Sequence, residues 1–103
     1  MFTAIKNLFS PSTKVDLGEL IANKAIILDV RTKDEYNSGH IKGSINIPVQ
    51  NLNAQLSKLK KDKTIITCCA SGARSSVAKS ILKQNGFENV YNAGSWMKLK
   101  QHV

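Results

Sequence analysis

Residues 64–85 read TIITCCASGARSSVAKSILKQN, and this stretch carries the clearest structural signal in the chain. Its start, residues 64–68, is an apolar and β-branched run that predicts a buried β-strand. Its end, residues 75–85, spaces apolar side chains as a helix does, and Gly86 can stop that helix in a left-handed conformation. The side chains predicted to face the core are Val77, Ala78, Ile81 and Leu82. The stretch therefore predicts a strand, a loop of small residues and a helix.

Short β-like runs alternate with helical stretches elsewhere, which predicts an α/β domain with a mostly parallel sheet. Residues 25–30 are apolar without alternation, as in a strand that is buried on both faces. Thr32 and Glu35 have the spacing of a capping box, which would open a short helix that ends at Gly39. The remaining predicted elements are a helix capped by Asp16, a strand at 44–47, an α-helix at 49–60, a strand at 89–91 and a terminal helix from Gly94 or Ser95.

Length and composition indicate one globular domain. The chain has 103 residues, of which 42% are hydrophobic and 21% charged. We expect an N-terminal amphipathic segment at 1–12, with Phe2, Ile5 and Phe9 on one face, followed by one domain at 13–103. No apolar run is long enough to span a membrane, and the N-terminus lacks the features of a secretory signal. We therefore expect a cytoplasmic, reducing location.

The chain carries a formal net charge of +8, with 15 basic and 7 acidic residues. Such an excess can attract acidic partners, including nucleic acids, membrane surfaces and anionic substrates. The lysines are scattered, however, and neither an aromatic platform for single strands nor a groove-reading motif is visible. We therefore expect no nucleic-acid partner.

The two cysteines, Cys68 and Cys69, are adjacent, and a disulfide between neighbours would be strained. There is no Cys-x-x-Cys pair, and the two histidines, His40 and His102, are far apart in sequence. The chain therefore offers no metal-ligand spacing, and we expect neither a metal nor an organic cofactor. The two thiols are better considered one at a time, as structural or reactive groups.

Residues 69–74 lie where a parallel sheet collects ligands, between the end of a strand and the start of a helix. Small residues there let successive backbone N–H groups turn inward and form an anion cradle with the helix dipole. Such surroundings lower the pKa of a cysteine, and Arg74 can extend a permanently charged fork across the mouth. The pattern predicts a nucleophilic cysteine that acts on an anionic substrate without a histidine base.

The segment from Cys69 to Ser75, CASGARS, resembles the active-site loop of single-domain rhodanese-like sulfurtransferases, commonly Cys-x-x-Gly-x-Arg-Ser. Residues 28–48, LDVRTKDEYNSGHIKGSINIP, and residues 86–91, GFENVY, resemble two further patterns of that family. The likeness covers about residues 15–97. It implies an α/β fold with a five-stranded, mainly parallel sheet flanked by helices on both faces. It also implies a reaction in which sulfane sulfur passes from a donor such as thiosulfate, through a cysteine persulfide, to cyanide or a thiol.

Carried over by position, the resemblance makes Cys69 the nucleophile and persulfide carrier. The Arg74 side chain would bind the anionic donor, whereas Asp29 and Arg31 would organise the strand end as a structural pair. His40 would lie in a turn and bond to backbone. The partners implied are an anionic sulfur donor and a small-molecule or protein thiol acceptor, and we expect a monomer. The amides that would surround the outer sulfur belong to Ala70, Ser71, Gly72, Ala73 and Arg74.

The thiol of Cys68, next to Cys69, leaves open alternatives for both the nucleophile and the function. Five residues separate Cys68 from Arg74, which is the Cys-x5-Arg spacing of cysteine-dependent phosphatases and arsenate reductases. Adjacent strand residues face opposite ways, so one thiol at most can enter the cradle. We favour Cys69, because Gly72 then follows at the family's spacing and because Thr67 stands where those phosphatases typically have histidine. Cys68 is then a packing residue or, alternatively, a resolving thiol. A non-catalytic, protein-binding module of the same fold is the other alternative.

Overall fold

The computed structural model describes residues 15–103. The predicted amphipathic segment at 1–12 lies outside these residues, so the division at residue 12 stays a prediction. The helices are α1 (Leu17–Ala22), α2 (Lys33–Ser38), α3 (Ala73–Gln84) and α4 (Trp96–Lys100), with a 3₁₀ helix at Val49–Lys58. The strands are β1 (Ile26–Asp29), β2 (Ile45–Asn46), β3 (Ile65–Cys69) and β4 (Val90–Ser95). No helix within 15–103 is both long and apolar enough to cross a membrane.

The four strands form one parallel sheet in the order β2-β1-β3-β4. The α/β fold and the parallel sheet are confirmed, but the described residues contain four strands where the resemblance implied five. Because all four run in the same direction, their carboxyl ends meet at one edge of the sheet. That edge carries the start of α2, the end of β2, the loop after β3 and the start of α4.

Side chains of alternate strand residues enter two separate cores, one on each face of the sheet. The first core contains Leu28, Ile65 and Cys69, and it is covered by α3 and the 3₁₀ helix. The second core contains Ile66 and Cys68, and it is covered by α1 and α4. Helices therefore lie on both faces, as expected, and the two thiols lie on opposite sides of the sheet.

The segment 49–60, predicted as an α-helix, forms a 3₁₀ helix with a kink at Gln55 (φ −124°, ψ 20°). Its apolar stripe is as predicted, since Leu52 and Leu59 are buried and Leu56 packs against the same core. The segment also holds asparagine and serine side chains, which compete for backbone hydrogen bonds and weaken α-helices. The burial pattern was therefore predictable from the sequence, whereas the helix type was not.

Helix α3 begins at Ala73, two residues before the predicted start at Ser75. Ser75, Ala78 and Leu82 form its buried side. Val77 was predicted to face the core and is instead 53% exposed, so that prediction was wrong. The buried side is centred on Ser75, Ala78 and Leu82, and at about 100° per residue this places Val77 on the outer side of the helix.

Candidate active site

The turn from β3 into α3 takes only three residues, 70–72. Ala70 and Ser71 are exposed, and Gly72 caps the helix with φ 118° and ψ −18°, a backbone conformation that favours glycine. A Cβ atom at Gly72 would lie 3.5 Å from the Cα atom of Gly94, which is ordinary contact. Backbone conformation, more than space, therefore requires glycine here. The tight turn points the first amides of α3 back toward the end of β3.

The sulfur of Cys69 lies at the focus of this turn. Its Sγ atom accepts a hydrogen bond from the Gly72 amide at 3.0 Å and another from the Ser75 amide at 3.4 Å. The Ser75 hydroxyl is also 3.4 Å from Sγ, and it donates to the Gly72 carbonyl at 3.1 Å. Ser75 is fully buried, so its hydroxyl is fixed beside the sulfur. The strand end and the first helical turn thus surround one thiol with donors.

These donors lower the pKa of Cys69. Burial alone would raise the pKa of this thiol, but hydrogen bonds from Ser75, Gly72 and Ser71 outweigh burial and bring it below the ordinary cysteine value. The thiol also faces the N-terminus of the 12-residue helix α3, where the helix dipole favours negative charge. The arrangement therefore favours a thiolate at position 69.

Cys68 has the opposite environment. Its side chain packs with Ile27, Ile66 and Leu99 on the other side of the sheet. Burial and the charge of Asp29 raise the pKa of Cys68 to about 12. A thiol with such a pKa is protonated at neutral pH and is a poor nucleophile. The position of Cys68 fits the packing role and gives no support to a phosphatase mechanism or a resolving role at this residue.

Asp29 and Arg31 form a buried ion pair at the carboxyl end of β1, with relative exposures of 1% and 4%. The Arg31 guanidinium donates to both carboxylate oxygens of Asp29, and the shortest of these hydrogen bonds is 2.7 Å. It also donates to the backbone carbonyls of Glu35 and Gly39, and its Cζ atom lies 4.4 Å from the centroid of the Trp96 ring. The pair therefore ties β1 to α2 and to the start of α4, which supports the structural role predicted for it.

Arg74 makes a contact that the sequence did not predict. Its two terminal nitrogens donate to the two carboxylate oxygens of Glu35, at 2.7 and 3.1 Å. Glu35 also accepts from the amide and the hydroxyl of Thr32, which confirms the predicted capping box. The Arg74 and Thr32 hydrogen bonds lower the pKa of Glu35 to about 2, so the carboxylate is ionised at neutral pH. Both partners are about a third exposed, so the pair contributes little to folding stability.

The prediction that five amides surround the outer sulfur stays a prediction, and only some of these amides contact the Sγ atom of Cys69 itself. The amides of Ala70, Ala73 and Arg74 make no hydrogen bond to the Cys69 sulfur within residues 15–103. His40 lies in the turn after α2, where its Nδ1 atom is 2.7 Å from the carbonyl oxygen of Tyr36 and its ring stacks on the Tyr36 ring. The backbone contact expected for His40 is therefore present.

Two residues of the site, Ser75 and Glu35, were not predicted from the sequence to belong to it. Ser75 stands in the loop motif itself, and its position two residues into the helix could have placed its amide at the cradle. Glu35 was interpreted only as a helix cap. Its contact with Arg74 spans 39 residues of sequence, and no local pattern predicts such a pair.

A cavity of about 420 Å³ lies on the surface between α2 and the 3₁₀ helix. Its lining includes Lys33, Tyr36, Asn46 and Gln55, and neither thiol takes part. Among the described residues, no group of three or more His, Cys, Asp or Glu side chains is arranged to hold a metal ion. Cys69 is the thiol that receives supporting donors, so we place the candidate active site there.

Fold and site together define an α/β domain that presents a cysteine in an anion cradle between a strand and a helix. The chain belongs to the rhodanese-like domain family, whose sequence profile matches residues 13–102. A rhodanese-related protein from Thermoplasma volcanium has a similar structure, with a TM-score of 0.71 and 31% identity over 85% of this chain and 89% of that one.

Curated relatives carry more than one activity. The chain is 36% identical over 69 residues, 65% of its length, to the thiosulfate sulfurtransferase PspE of Escherichia coli (strain K12). It is also 36% identical over 83 residues, 74% of its length, to a tRNA uridine(34) hydroxylase of Buchnera aphidicola. The matches span 66% of PspE and 27% of the hydroxylase, less than two thirds of either protein. Membership of the family therefore leaves the activity of this chain to be argued from its own site.

Proposed function

We propose that this protein is a sulfurtransferase that moves a sulfane sulfur from an anionic donor, such as thiosulfate, to a thiol or cyanide through a persulfide on Cys69. One observation carries the proposal: the Cys69 sulfur receives the amides of Gly72 and Ser75 at the N-terminus of α3. The same donors that favour a thiolate would favour the terminal sulfur anion of a persulfide. The sulfurtransferase PspE among the relatives adds support.

In the first half-reaction the Cys69 thiolate attacks the outer sulfur of the donor. A new S–S bond forms between Sγ and that sulfur, and the bond to the rest of the donor breaks. The electron pair leaves with the departing group, which is sulfite when thiosulfate is the donor. Charge is conserved, because the thiolate and the thiosulfate dianion become a persulfide anion and a sulfite dianion.

In the second half-reaction the acceptor attacks the outer sulfur of the persulfide. Cyanide forms a C–S bond and leaves as thiocyanate, whereas an acceptor thiolate leaves with the sulfur as its own persulfide. In either case the S–S bond to Cys69 breaks and its electron pair returns to Sγ as the thiolate. The cycle needs no metal and no organic cofactor.

The other predicted residues take their roles around this sulfur. The outer sulfur would extend beyond Sγ into the turn, where the amides of residues 70–74 lie. The Arg74 side chain would meet the anionic donor with the N–H groups that Glu35 leaves free. Asp29 and Arg31 would hold the strand end without touching the donor.

Intact-mass spectrometry with matched cysteine variants tests the proposal. We expect thiosulfate to add ~32 Da, one sulfur atom, to the wild-type protein, and cyanide to remove it. Cys69→Ser should abolish the adduct, whereas Cys68→Ser should keep it. The two variants make the same chemical change one position apart, so each is the control for the other.

The same experiment separates the alternatives. An adduct that survives in Cys69→Ser and disappears in Cys68→Ser would show that Cys68, and not Cys69, carries the sulfur. No adduct on folded wild-type protein with any sulfane donor would favour a non-catalytic module that binds a protein partner. Hydrolysis of a small aryl phosphate, lost in Cys68→Ser, would favour a phosphatase. The cytoplasmic location and the monomeric state stay predictions.

A further inference from the structure

Glu35 is fixed from two directions at the edge of the candidate site. On one side its carboxylate accepts from the Thr32 amide at 2.9 Å, which completes the cap of α2. On the other side both of its oxygens accept from the guanidinium of Arg74. The N-terminal cap of α2 therefore holds the Glu35 carboxylate against the side chain of Arg74, close to Cys69.

The geometry of this pair leaves part of Arg74 available. Glu35 occupies the end of the guanidinium, because one hydrogen bond comes from each terminal nitrogen. The side of the fork that includes Nε has no acceptor within the part of the chain that the structure describes, residues 15–103. Arg74 is also about a third exposed, so a donor can reach that free side. An anion bound there would lie close to the Glu35 carboxylate.

At this edge of the sheet each arginine is paired with a carboxylate, so the site differs from one in which an arginine has no acidic neighbour. The charge of Arg74 is balanced by Glu35, and the charge of Arg31 is balanced by the buried Asp29. Neither arginine therefore offers an uncompensated positive charge to a small anion. Repulsion by the Glu35 carboxylate acts twice as strongly on a dianion as on a monoanion at the same position.

We propose that Glu35 is a specificity-determining residue that makes the Cys69 site favour sulfane donors with one negative charge over dianionic donors such as thiosulfate. The inference rests on the proposed sulfur transfer and narrows its donor class. A persulfide and a thiosulfonate both belong to the favoured class. In each case the Cys69 thiolate takes the outer sulfur, and the electron pair of the broken bond leaves with a thiolate or a sulfinate.

Two small donors isolate the effect of charge. Methanethiosulfonate differs from thiosulfate by a methyl group in place of one charged oxygen, so it delivers the same outer sulfur with one charge less. With cyanide as the acceptor, the kcat/KM for each donor reports the donor half-reaction of a double-displacement cycle. The quantity to compare is the ratio of kcat/KM for methanethiosulfonate to kcat/KM for thiosulfate.

Glu35→Gln is the decisive variant, because glutamine still accepts the Thr32 amide in a capping box and loses only the charge. We expect kcat/KM for thiosulfate to rise roughly tenfold and kcat/KM for methanethiosulfonate to rise roughly threefold or less, so the ratio falls. Asp34→Asn is the matched control. It removes the same charge from the same first turn of α2, and we expect it to leave the ratio within about twofold of wild type.

A second variant tests the inference without altering the cap. In Arg74→Gln the Glu35 charge is no longer balanced, so we expect the rate with thiosulfate to fall at least several-fold more than the rate with methanethiosulfonate. Equal losses with both donors would mean that the pair only positions Arg74, and this would overturn the inference. An unchanged ratio in folded Glu35→Gln would also overturn it. Wild-type protein that accepts sulfur from neither donor would instead remove the proposed function, and the inference with it.

Discussion

Cys68 and Cys69 are neighbours in sequence with equally buried side chains, 0% and 1% exposed, yet their pKa values shift in opposite directions. Strand geometry separates them first, because adjacent residues of β3 enter opposite faces of the sheet. Hydrogen bonding separates them next. Cys69 receives amide donors from the first turn of α3, whereas Cys68 meets apolar side chains and the charge of Asp29. Burial alone therefore does not decide which thiol can act.

The two faces also use charge differently. On the side of Cys68 the charged groups nearest the thiol are Asp29 and Arg31, which bind each other and act on the pKa of Cys68 in opposite directions. On the side of Cys69 the stabilising groups are backbone dipoles and one serine hydroxyl. Backbone donors keep their orientation without counter-charges and are suited to a sulfur that gains and loses charge in each cycle. We infer that the Asp29–Arg31 pair on one face maintains the fold, while dipoles on the other face stabilise the sulfur of Cys69.

Removal of the Asp29–Arg31 ion pair, on the side of the sheet that holds Cys68, should cost the most stability. Asp29→Ala leaves the Arg31 guanidinium buried without its carboxylate, and we expect a loss of about 3–5 kcal/mol in the free energy of unfolding. Chemical denaturation measures this loss. The same variant should still accept sulfur on Cys69 in its folded fraction, because Asp29 does not contact that thiol.

Asp34→Asn is the control, since Asp34 is an exposed acidic residue in the first turn of α2. We expect it to change the free energy of unfolding by no more than about 0.5 kcal/mol. A folded Asp29→Ala variant that has lost sulfur transfer would contradict the division of roles between the faces.

The order of strands and helices was predictable from the sequence, because each element follows from its own hydrophobic periodicity and capping residues. The strand at 25–30, the capping box of Thr32 and Glu35, and the helix stop at Gly86 follow from neighbouring residues. The length of β4 was not predictable. Residues 92–95 continue the strand through a register shift opposite Thr67 and Cys68, and sequence alone does not reveal this irregularity.

The choice of Cys69 rested on alternation along β3 and on the spacing to Gly72, and both are local features. The residues that the sequence missed act across the fold. Ser75 takes part because the first turn of α3 lies against the end of β3, and Glu35 takes part because α2 and α3 bring distant segments to one sheet edge. Such contacts depend on tertiary placement, which motif spacing does not encode.

A smaller loss of stability is expected from a substitution in the turn between β3 and α3, beside Cys69. Gly72→Ala introduces a Cβ atom at a φ of 118°, and we expect a loss of about 1–3 kcal/mol in the free energy of unfolding. The variant should also move the Gly72 amide away from Cys69 and slow persulfide formation from thiosulfate at least several-fold. Adduct formation followed by intact mass measures the rate.

Gly43→Ala separates backbone strain from chemistry. Gly43 has a φ of 88°, lies outside the site and has no atom within 4 Å of the Cβ that alanine would add. We expect this variant to lose a similar amount of stability and to form the persulfide at the wild-type rate. Equal rates in both glycine variants would show that the Gly72 amide is not needed at the sulfur.

The least change is expected from removing the side-chain hydroxyl that contacts the sulfur of Cys69. Ser75→Ala removes the hydroxyl 3.4 Å from Sγ but keeps the Ser75 amide, and we expect the pKa of Cys69 to rise because the side-chain hydrogen bond that lowers it is lost. Iodoacetamide reacts with the thiolate, so the midpoint of its pH–rate profile should move to higher pH. Below the wild-type midpoint the variant should react more slowly, and well above both midpoints the two rates should converge. The stability cost should be about 1 kcal/mol, since the Gly72 carbonyl keeps the Ser76 amide as a partner.

Ser76→Ala is the matched control, because Ser76 is the neighbouring serine of the same helix turn and its side chain is exposed. Both variants are best measured in a Cys68→Ser background, so that alkylation reports Cys69 alone. A midpoint that moves in Ser75→Ala and stays in Ser76→Ala would assign the low pKa partly to one buried hydroxyl. Equal midpoints in all three proteins would mean that the amides and the helix dipole stabilise the thiolate without it. The contrast between the two thiols would then depend on the backbone alone.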